Sequence, residues 1–187
     1  AVRIGQALTL LSSIAGAPIA IIEGQPIGLF YGAFFALDAN GGLVKNGSGF
    51  PQGERGVQNS ALVFTPQRDP VTGLPITTFP LVRKVLGDPN PDYTASLVNE
   101  ITFKKLSLRV QLDAVQGLEV WNADWRTRQG VGNGKEAEKE QTGVYPRGYI
   151  NSFYGTVEEW RIDDGSFVKL REVSLSYAFG DWKKVKD

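Results

Sequence analysis

The 187-residue sequence contains no cysteine, no histidine and no methionine. Without cysteine or histidine, the chain cannot supply a thiol nucleophile, an imidazole base, a Ser-His-Asp triad or the usual zinc ligands. The lack of cysteine also excludes disulfide bonds, although it is compatible with every cellular compartment. Because residue 1 is not methionine, we expect a processed chain or a segment of a longer polypeptide.

The sequence also lacks an excess of charge of either sign, since Lys+Arg and Asp+Glu both number 20. Proteins that bind nucleic acid show a basic footprint, so we expect no nucleic-acid partner. No stretch approaches the ~20 uninterrupted apolar residues of a transmembrane helix. Turn-forming residues, in contrast, are plentiful, with 22 glycines and 10 prolines.

The clearest pattern is a strict alternation of apolar and polar residues in KLSLRVQLDA, residues 105–114. A period of two places the two sets on opposite faces of one β-strand. The apolar side carries Leu106, Leu108, Val110, Leu112 and Ala114, and the polar side carries Ser107, Arg109, Gln111 and Asp113.

A second alternating segment, DYTASLVNEITF, occupies residues 92–103 just before the first. The apolar positions are odd-numbered up to residue 103 and even-numbered from residue 106. A two-residue turn at Lys104 and Lys105 would produce this change, so we predict an antiparallel hairpin of 92–103 with 106–117. Lys-Lys is not a favoured dipeptide for such a turn, and the turn type is not predicted.

A third long strand is predicted at residues 166–179, SFVKLREVSLSYAF. Its apolar positions are even-numbered up to Leu170 and odd-numbered from Val173. We interpret this slip near Arg171 and Glu172 as a β-bulge or a change of exposure, because a bulge adds one residue to one strand of a pair.

The remaining chain divides into shorter strands and long polar connections. Shorter strands are predicted near residues 28–37, 60–65, 79–86, 118–122 and 148–161. The connections run over residues 38–59, 65–78 and 123–147. The best helical candidate, GKEAEKEQ at 134–141, is short and charged, and we expect a solvated loop there.

Two architectures accommodate these strands. Transmembrane β-strands need about 9–11 residues, whereas soluble strands average about 5–6 residues. In a membrane barrel, the leucines would contact lipid and Ser107, Arg109, Gln111 and Asp113 would face a water-filled lumen. In a soluble β-sandwich, the same leucines would be buried in a protein core.

Aromatic residues and long loops add to the barrel interpretation. Tyr93, Phe103, Trp121 and Trp125 stand near strand ends, where membrane proteins carry interfacial aromatic girdles. Outer-membrane barrels also combine short periplasmic turns with long extracellular loops. The alternation of a two-residue turn with long polar connections fits that arrangement.

We expect no catalytic centre, metal site or cofactor. Carboxylates that act together on sugars are about 5–9 Å apart and face one substrate. The adjacent pairs Glu158–Glu159 and Asp163–Asp164 would point to opposite faces of a strand, so neither forms such a pair.

Three segments in this order resemble the C-terminal part of a SusC/RagA-type TonB-dependent outer-membrane transporter. They are EGQPIGLFYGAFF (23–35), VLGDPNPDYTASLVNEITFKKLSLRVQLDAVQGLEVWN (85–122) and RIDDGSFVKLREVSLSYAF (161–179). The family pattern has E-G-x-P-x-G followed by F-Y-G, then G-x-P-x-P leading into a hairpin, and later an acidic-G-S-F segment before L-R-x-V-x-L-S-Y.

The resemblance implies an all-β fold, an antiparallel transmembrane segment of a barrel of about 22 strands that encloses a plug. Residues 1–187 would form part of that barrel, without the plug domain or the last strands. Such barrels lie in the bacterial outer membrane and import bulky nutrients, either glycans or peptides. The implied partners are the remaining barrel and plug, the TonB complex, a SusD-like surface lipoprotein and outer-membrane lipid.

Two alternatives stay open at this point. One is a structural or adhesive cell-surface β-protein whose strands assemble between chains. The other is a soluble carbohydrate-binding β-sandwich.

Overall fold

The computed structural model describes residues 8–11 and 18–179. The chain divides into two compact units, which are described separately. The first unit comprises the described residues of Ala1–Pro89 and Glu119–Asp163, and the second comprises those of Asn90–Leu118 and Asp164–Asp187. Strands predominate over helices, and the long strands pair in antiparallel fashion, as the sequence predicts.

The bounds of the elements follow the chain. The strands are β1 (Leu8–Leu11), β2 (Ile19–Ile22), β3 (Leu29–Ala33), β4 (Gly56–Gln58), β5 (Phe64–Pro66), β6 (Arg83–Gly87), β7 (Tyr93–Phe103), β8 (Leu106–Gln116), β9 (Glu119–Trp121), β10 (Ile162–Asp164) and β11 (Phe167–Tyr177). The helices are α1 (Ala123–Gly130), α2 (Lys135–Gln141), α3 (Tyr149–Phe153) and a 3₁₀ turn at Glu159–Arg161. No helix in the described part of the chain is long and apolar enough to cross a membrane.

The first unit contains a four-stranded sheet in the order β1-β2-β3-β6 and two two-stranded sheets, β4-β5 and β9-β10. Strand β3, LFYGA, is buried along its whole length, because its aromatic and small side chains pack on both faces. Tyr31 and Ile22 are about 1% exposed and form a core with Ala20 and Ala61. A buried carboxylate, Glu54, forms an ion pair with Arg68.

Two predictions for the first unit are wrong. The connection predicted at 123–147 contains helices α1 and α2, and the charged segment at 134–141 is helical rather than a solvated loop. Helix α2 is held by a tertiary contact, since Ala137 donates its backbone N–H to Gln129 Oε1 at 2.9 Å. The strand predicted near 148–161 is instead α3 and the 3₁₀ turn.

The second unit is a three-stranded antiparallel sheet in the order β11-β8-β7. The predicted hairpin is confirmed, because Phe103 lies opposite Leu106 across the two-residue turn. Lys104 in that turn has a φ of 55°, in the left-handed region that lysine rarely adopts. Each of the three strands has 11 residues, about twice the soluble average of 5–6.

The predicted β-bulge in β11 is also confirmed. Leu170 lies opposite Leu112 and Glu172 lies opposite Gln111, so Arg171 is the extra residue. The bulge restores the alternation, since Leu170 and Val173 reach the same face of the sheet although one is even-numbered and the other odd-numbered. Within the described residues, this sheet is open and does not close on itself.

Candidate functional site

One face of the second unit is continuously apolar. Residues directly opposite each other on antiparallel strands project to the same side, so the register of β8 with its two neighbours defines this face. We call it the apolar face: Tyr93, Ala95, Leu97, Ile101 and Phe103 from β7; Leu106, Leu108, Val110, Leu112 and Ala114 from β8; Val168, Leu170, Val173, Leu175 and Tyr177 from β11. Its polar members are Asn99, in the middle of β7, and Gln116, opposite Tyr93 at the end of β8.

The apolar face is exposed. Leu97 is 60% accessible, Val173 is 61% and Leu175 is 67%. None of the described residues of the second unit is buried, either on this face or on the other. The leucines of the alternating strand are therefore not packed in a core of this chain.

The opposite face, which we call the polar face, carries the four residues predicted to face a lumen. Ser107, Arg109, Gln111 and Asp113 lie on it in sequence along β8, as the alternation predicts. The neighbouring strands add Thr94, Ser96, Glu100 and Thr102 from β7, and Lys169, Glu172, Ser174 and Ser176 from β11. Val98, Val115 and Phe167 are the apolar members of this face.

Asp113 is the centre of a hydrogen-bond network across all three strands. It accepts hydrogen bonds from Ser96 Oγ at 2.7 Å, from Gln111 Nε2 at 3.2 Å and from Arg171 Nε at 2.7 Å. Arg171, the extra residue of the bulge, was not among the predicted lumen residues. Its position on this face depends on the bulge geometry, which alternation alone does not give.

A second set of contacts lies closer to the hairpin turn. Arg109 Nε is 3.3 Å from Glu172 Oε2, and Ser107 Oγ is 3.0 Å from Thr102 Oγ1. Ser176 Oγ donates to the backbone oxygen of Ser107 at 3.4 Å. Charges of both signs are thus paired across strands on the polar face.

The four predicted interfacial aromatic residues are divided between the two units. Tyr93 and Phe103 lie at opposite ends of β7 on the apolar face, 56% and 69% exposed. Trp121, on β9 of the first unit, has the guanidinium carbon of Arg161 at 4.2 Å from its ring centroid. Trp125, in α1, lines a cavity in the first unit.

Sequence reasoning missed two aromatic residues near Phe103. Tyr177 lies opposite Leu106, which is also opposite Phe103, and its ring makes an edge contact with Phe179 at 5.0 Å. The alternation counted from Val173 onward already makes Tyr177 an apolar position, but Tyr177 was not among the residues predicted to lie at the interface.

The adjacent acidic residues have structural roles in the first unit and at the start of β11. Glu158 and Glu159 accept hydrogen bonds from the backbone N–H groups of Ala33 at 2.7 Å and Phe35 at 2.9 Å. Asp164 accepts from the backbone N–H of Ser166 at 2.8 Å. In the described residues, no group of three or more acidic side chains is arranged to hold a metal ion.

Comparisons with known proteins add no relative. No protein-family model matches the chain, and no curated protein matches it either. The resemblance to the SusC/RagA family rests on the three sequence motifs.

Proposed function

We propose that the chain is a barrel segment of a TonB-dependent importer of bulky nutrients, glycans or peptides, in the bacterial outer membrane. Strands β7, β8 and β11 form part of the barrel wall. The apolar face contacts the acyl chains of lipid, and the polar face lines a water-filled lumen. The wall is passive and carries out no catalysis.

The observation that carries this proposal is the exposure of the apolar face. Burying a large apolar side chain contributes about 1.5–3 kcal/mol relative to leaving it in water. The apolar face holds more than ten such side chains, including Leu97, Val173 and Leu175. A surface of this size requires a covering, and lipid covers strands of this length in outer-membrane barrels.

The soluble sandwich is less well supported. Two packed sheets bury the side chains of their inner faces in a shared core. The three long strands alternate regularly enough to supply one inner face of such a sandwich. Among the described residues of the second unit, however, not one is buried.

The proposed partners come from the resemblance, and the edges of β7 and β11, unpaired among the described residues, support the first of them. The remaining barrel would continue the sheet beyond β7 and β11, and a plug inside the lumen would contact the TonB complex and transduce energy. A SusD-like surface lipoprotein would close the barrel from outside. The structural or adhesive alternative uses the same unpaired edges to join separate chains.

Neighbouring residues at the middle of β8 test the proposal, because Val110 lies on the apolar face and Gln111 on the polar face. An arginine on the lipid face costs about 2–4 kcal/mol near the bilayer midplane, whereas a lumen position tolerates it. We expect Val110→Arg to lower the amount of folded chain in outer-membrane fractions strongly and Gln111→Arg to leave it near the wild-type level.

The full chain is expressed together with the remaining barrel and plug. Membrane fractionation and protease protection then measure how much of each variant is inserted. Gln111→Arg is the matched control, since it adds the same side chain one residue away. Equal effects of the two substitutions, or a wild-type chain that stays in the soluble fraction, would contradict the lipid contact.

A further inference from the structure

The first unit contains a cavity of about 180 Å³ with mainly aromatic walls. Six aromatic residues line it: Phe35, Trp125, Tyr145, Tyr149, Phe153 and Trp160. They come from the segment after β3, from α1, from α3 and its preceding loop, and from the 3₁₀ turn. Leu43, Ile150 and Glu136 complete the lining.

The rings around the cavity hold one another in defined orientations. Phe153 makes edge contacts with Phe35 at 5.2 Å, with Trp160 at 5.3 Å and with Tyr149 at 5.6 Å between ring centroids. Tyr145 and Tyr149 are stacked at 4.1 Å. Tyr149, Ile150 and Phe153 are buried, so this side of the cavity is part of a packed core and has a fixed shape.

The size of the cavity corresponds to one six-membered ring. An apolar cavity of about 150 Å³ stays dry and binds benzene in other proteins. Ring faces carry negative and ring edges positive partial charge, so walls that present both favour an aromatic guest in edge-to-face or offset contact.

The cavity offers no free charge to a ligand. Glu136 is its only charged lining residue among those described, and both carboxylate oxygens accept from Lys139 Nζ, at 2.7 and 2.9 Å. A sugar ring carries several hydroxyl groups, each of which loses water on burial and needs a new partner. Besides Glu136, the described lining side chains offer only the hydroxyls of Tyr145 and Tyr149 and the indole N–H groups of Trp125 and Trp160, fewer polar groups than the oxygens of a sugar such as methyl glucoside.

We propose that this cavity is a binding site for a single uncharged aromatic ring. The guest ring packs against the aromatic rings that line the cavity, beside Leu43, which is 39% exposed. The guest is either a free aromatic molecule or the aromatic side chain of a peptide, since both present the same ring. The site lies wholly in the first unit and does not depend on the membrane role of the second.

The direct test is titration of the full chain with fluorobenzene, followed by the methyl NMR signal of Ile150, in a detergent that covers the apolar face of the second unit. We expect a saturable shift with a Kd of about 1 mM, the range for a ligand of seven heavy atoms. Cyclohexane and methyl glucoside should shift this signal at least tenfold less at the same concentration. No saturation by fluorobenzene, or equal binding of either comparison compound, would overturn the proposal.

A second test replaces Leu43, a partly exposed residue of the cavity lining. Leu43→Trp should block the cavity and weaken fluorobenzene binding at least tenfold. Leu62→Trp is the matched control, because Leu62 is 37% exposed in the same unit but does not line the cavity. Equal affinities of the two variants, with circular dichroism showing both folded, would contradict the site.

A third arm distinguishes the source of the ring. N-acetyl-phenylalaninamide presents the ring on a peptide backbone. Binding as tight as that of fluorobenzene assigns the site to peptides, and binding only of fluorobenzene assigns it to free aromatic molecules. Tyr145→Leu, which removes a stacked wall ring, should weaken whichever guest binds.

Discussion

A buried cation in the first unit illustrates how single residues depend on their surroundings. Arg161 is 4% exposed and lies over Trp121, with its guanidinium carbon 4.2 Å from the ring centroid; Trp160 is at 5.7 Å. Burial, followed by repulsion from Arg126, lowers the pKa of Arg161 to about 10. The side chain therefore keeps its charge at neutral pH, and the indole faces compensate for lost water.

A double-mutant cycle at Trp121 and Arg161 tests this compensation. A desolvated cation–π contact contributes about 2 kcal/mol. We expect Trp121→Leu to destabilise the wild-type chain more than the Arg161→Met chain, with a coupling of about 1–2 kcal/mol. Hydrogen exchange at the Asn122 amide, which donates to the Arg161 carbonyl at 2.8 Å, reports the local stability. Additive effects would show that the rings do not stabilise the charge.

The carboxyl group of Asp164 gives a pH-dependent prediction. Hydrogen bonds from the Ser166 side chain and backbone lower the pKa of Asp164 below 3.8. A carboxylate with a lowered folded-state pKa stabilises the fold above its unfolded pKa, and this contribution is lost as pH falls through the folded-state pKa. We expect Ser166→Ala to raise the pKa of Asp164 toward 3.8.

NMR titration of the side-chain carboxyl carbons between pH 2 and 6 measures this shift. Asp69 is an internal control, because the backbone N–H groups of Thr72 and Val71 lower its pKa and Ser166 takes no part. A change of equal size at Asp69, or none at Asp164, would contradict the assignment.

The polar face was predictable at the level of single residues, whereas Arg161 was not. Ser107, Arg109, Gln111 and Asp113 follow from alternation, since the side-chain period of a strand does not depend on the rest of the fold. Arginine is ordinarily an exposed residue, and only the approach of Trp121 and Trp160 in three dimensions places Arg161 in the interior.

At the scale of secondary structure, the long strands were predictable and the helices were not. Each long strand repeats its alternation over about ten residues, which gives a strong local signal. Helices α1 and α2 have 8 and 7 residues and are too short to be stable alone. Their stability comes from contacts such as the Gln129–Ala137 hydrogen bond, which sequence periodicity does not show.

The bulge at Arg171 gives a prediction for one strand. Removing Arg171 joins Leu170 directly to Glu172, which leaves the alternation of β11 and its register with β8 intact. The deletion loses only the exposed contact with Asp113, and exposed ion pairs contribute little to stability. We expect the Arg171 deletion to fold and to keep Ser176 opposite Ser107.

The chain has no cysteine, so the double variant Ser107→Cys/Ser176→Cys can form only one internal disulfide. That disulfide forms where residues 107 and 176 stay opposite each other, and its yield therefore measures the register of β11 with β8. Deletion of Ser174 is the matched control. It forces an apolar residue, either Val173 or Leu175, onto the polar face and should lower the thermal midpoint far more. Loss of the disulfide in the Arg171 deletion would show that the bulge itself sets the register.

At the scale of the whole molecule, the main feature is that the second unit is built from two segments that are separated in the sequence. Strands β8 and β11 are neighbours in one sheet, yet Glu119–Asp163 of the first unit stands between them in sequence. The parity of each strand predicts its two faces but not which strands pair over such a distance. Pairing of β7 with β8 was predictable because only two residues separate them.

The edges of the three-stranded sheet determine how the chain should behave by itself. Within the described residues, β7 and β11 each pair only with β8, so one side of each strand is without a partner strand. Unpaired edges of long strands recruit further strands, and β7 has little protection against this, since all of its residues are exposed, none is proline or lysine, and Glu100 is its single charged residue. We expect the isolated chain to self-associate in water.

Light scattering of the purified chain, with and without detergent, measures this behaviour. Leu97→Lys together with Ile101→Lys places charge on the edge strand and should reduce the assembled fraction, because lysine on an edge strand opposes edge-to-edge pairing. Val71→Lys is the control, since Val71 is 91% exposed in a loop of the first unit and should change nothing. A soluble, monodisperse wild-type monomer in the absence of detergent would contradict both the edge pairing and the proposed barrel wall, because a sheet with these edges and this apolar face cannot remain alone in water.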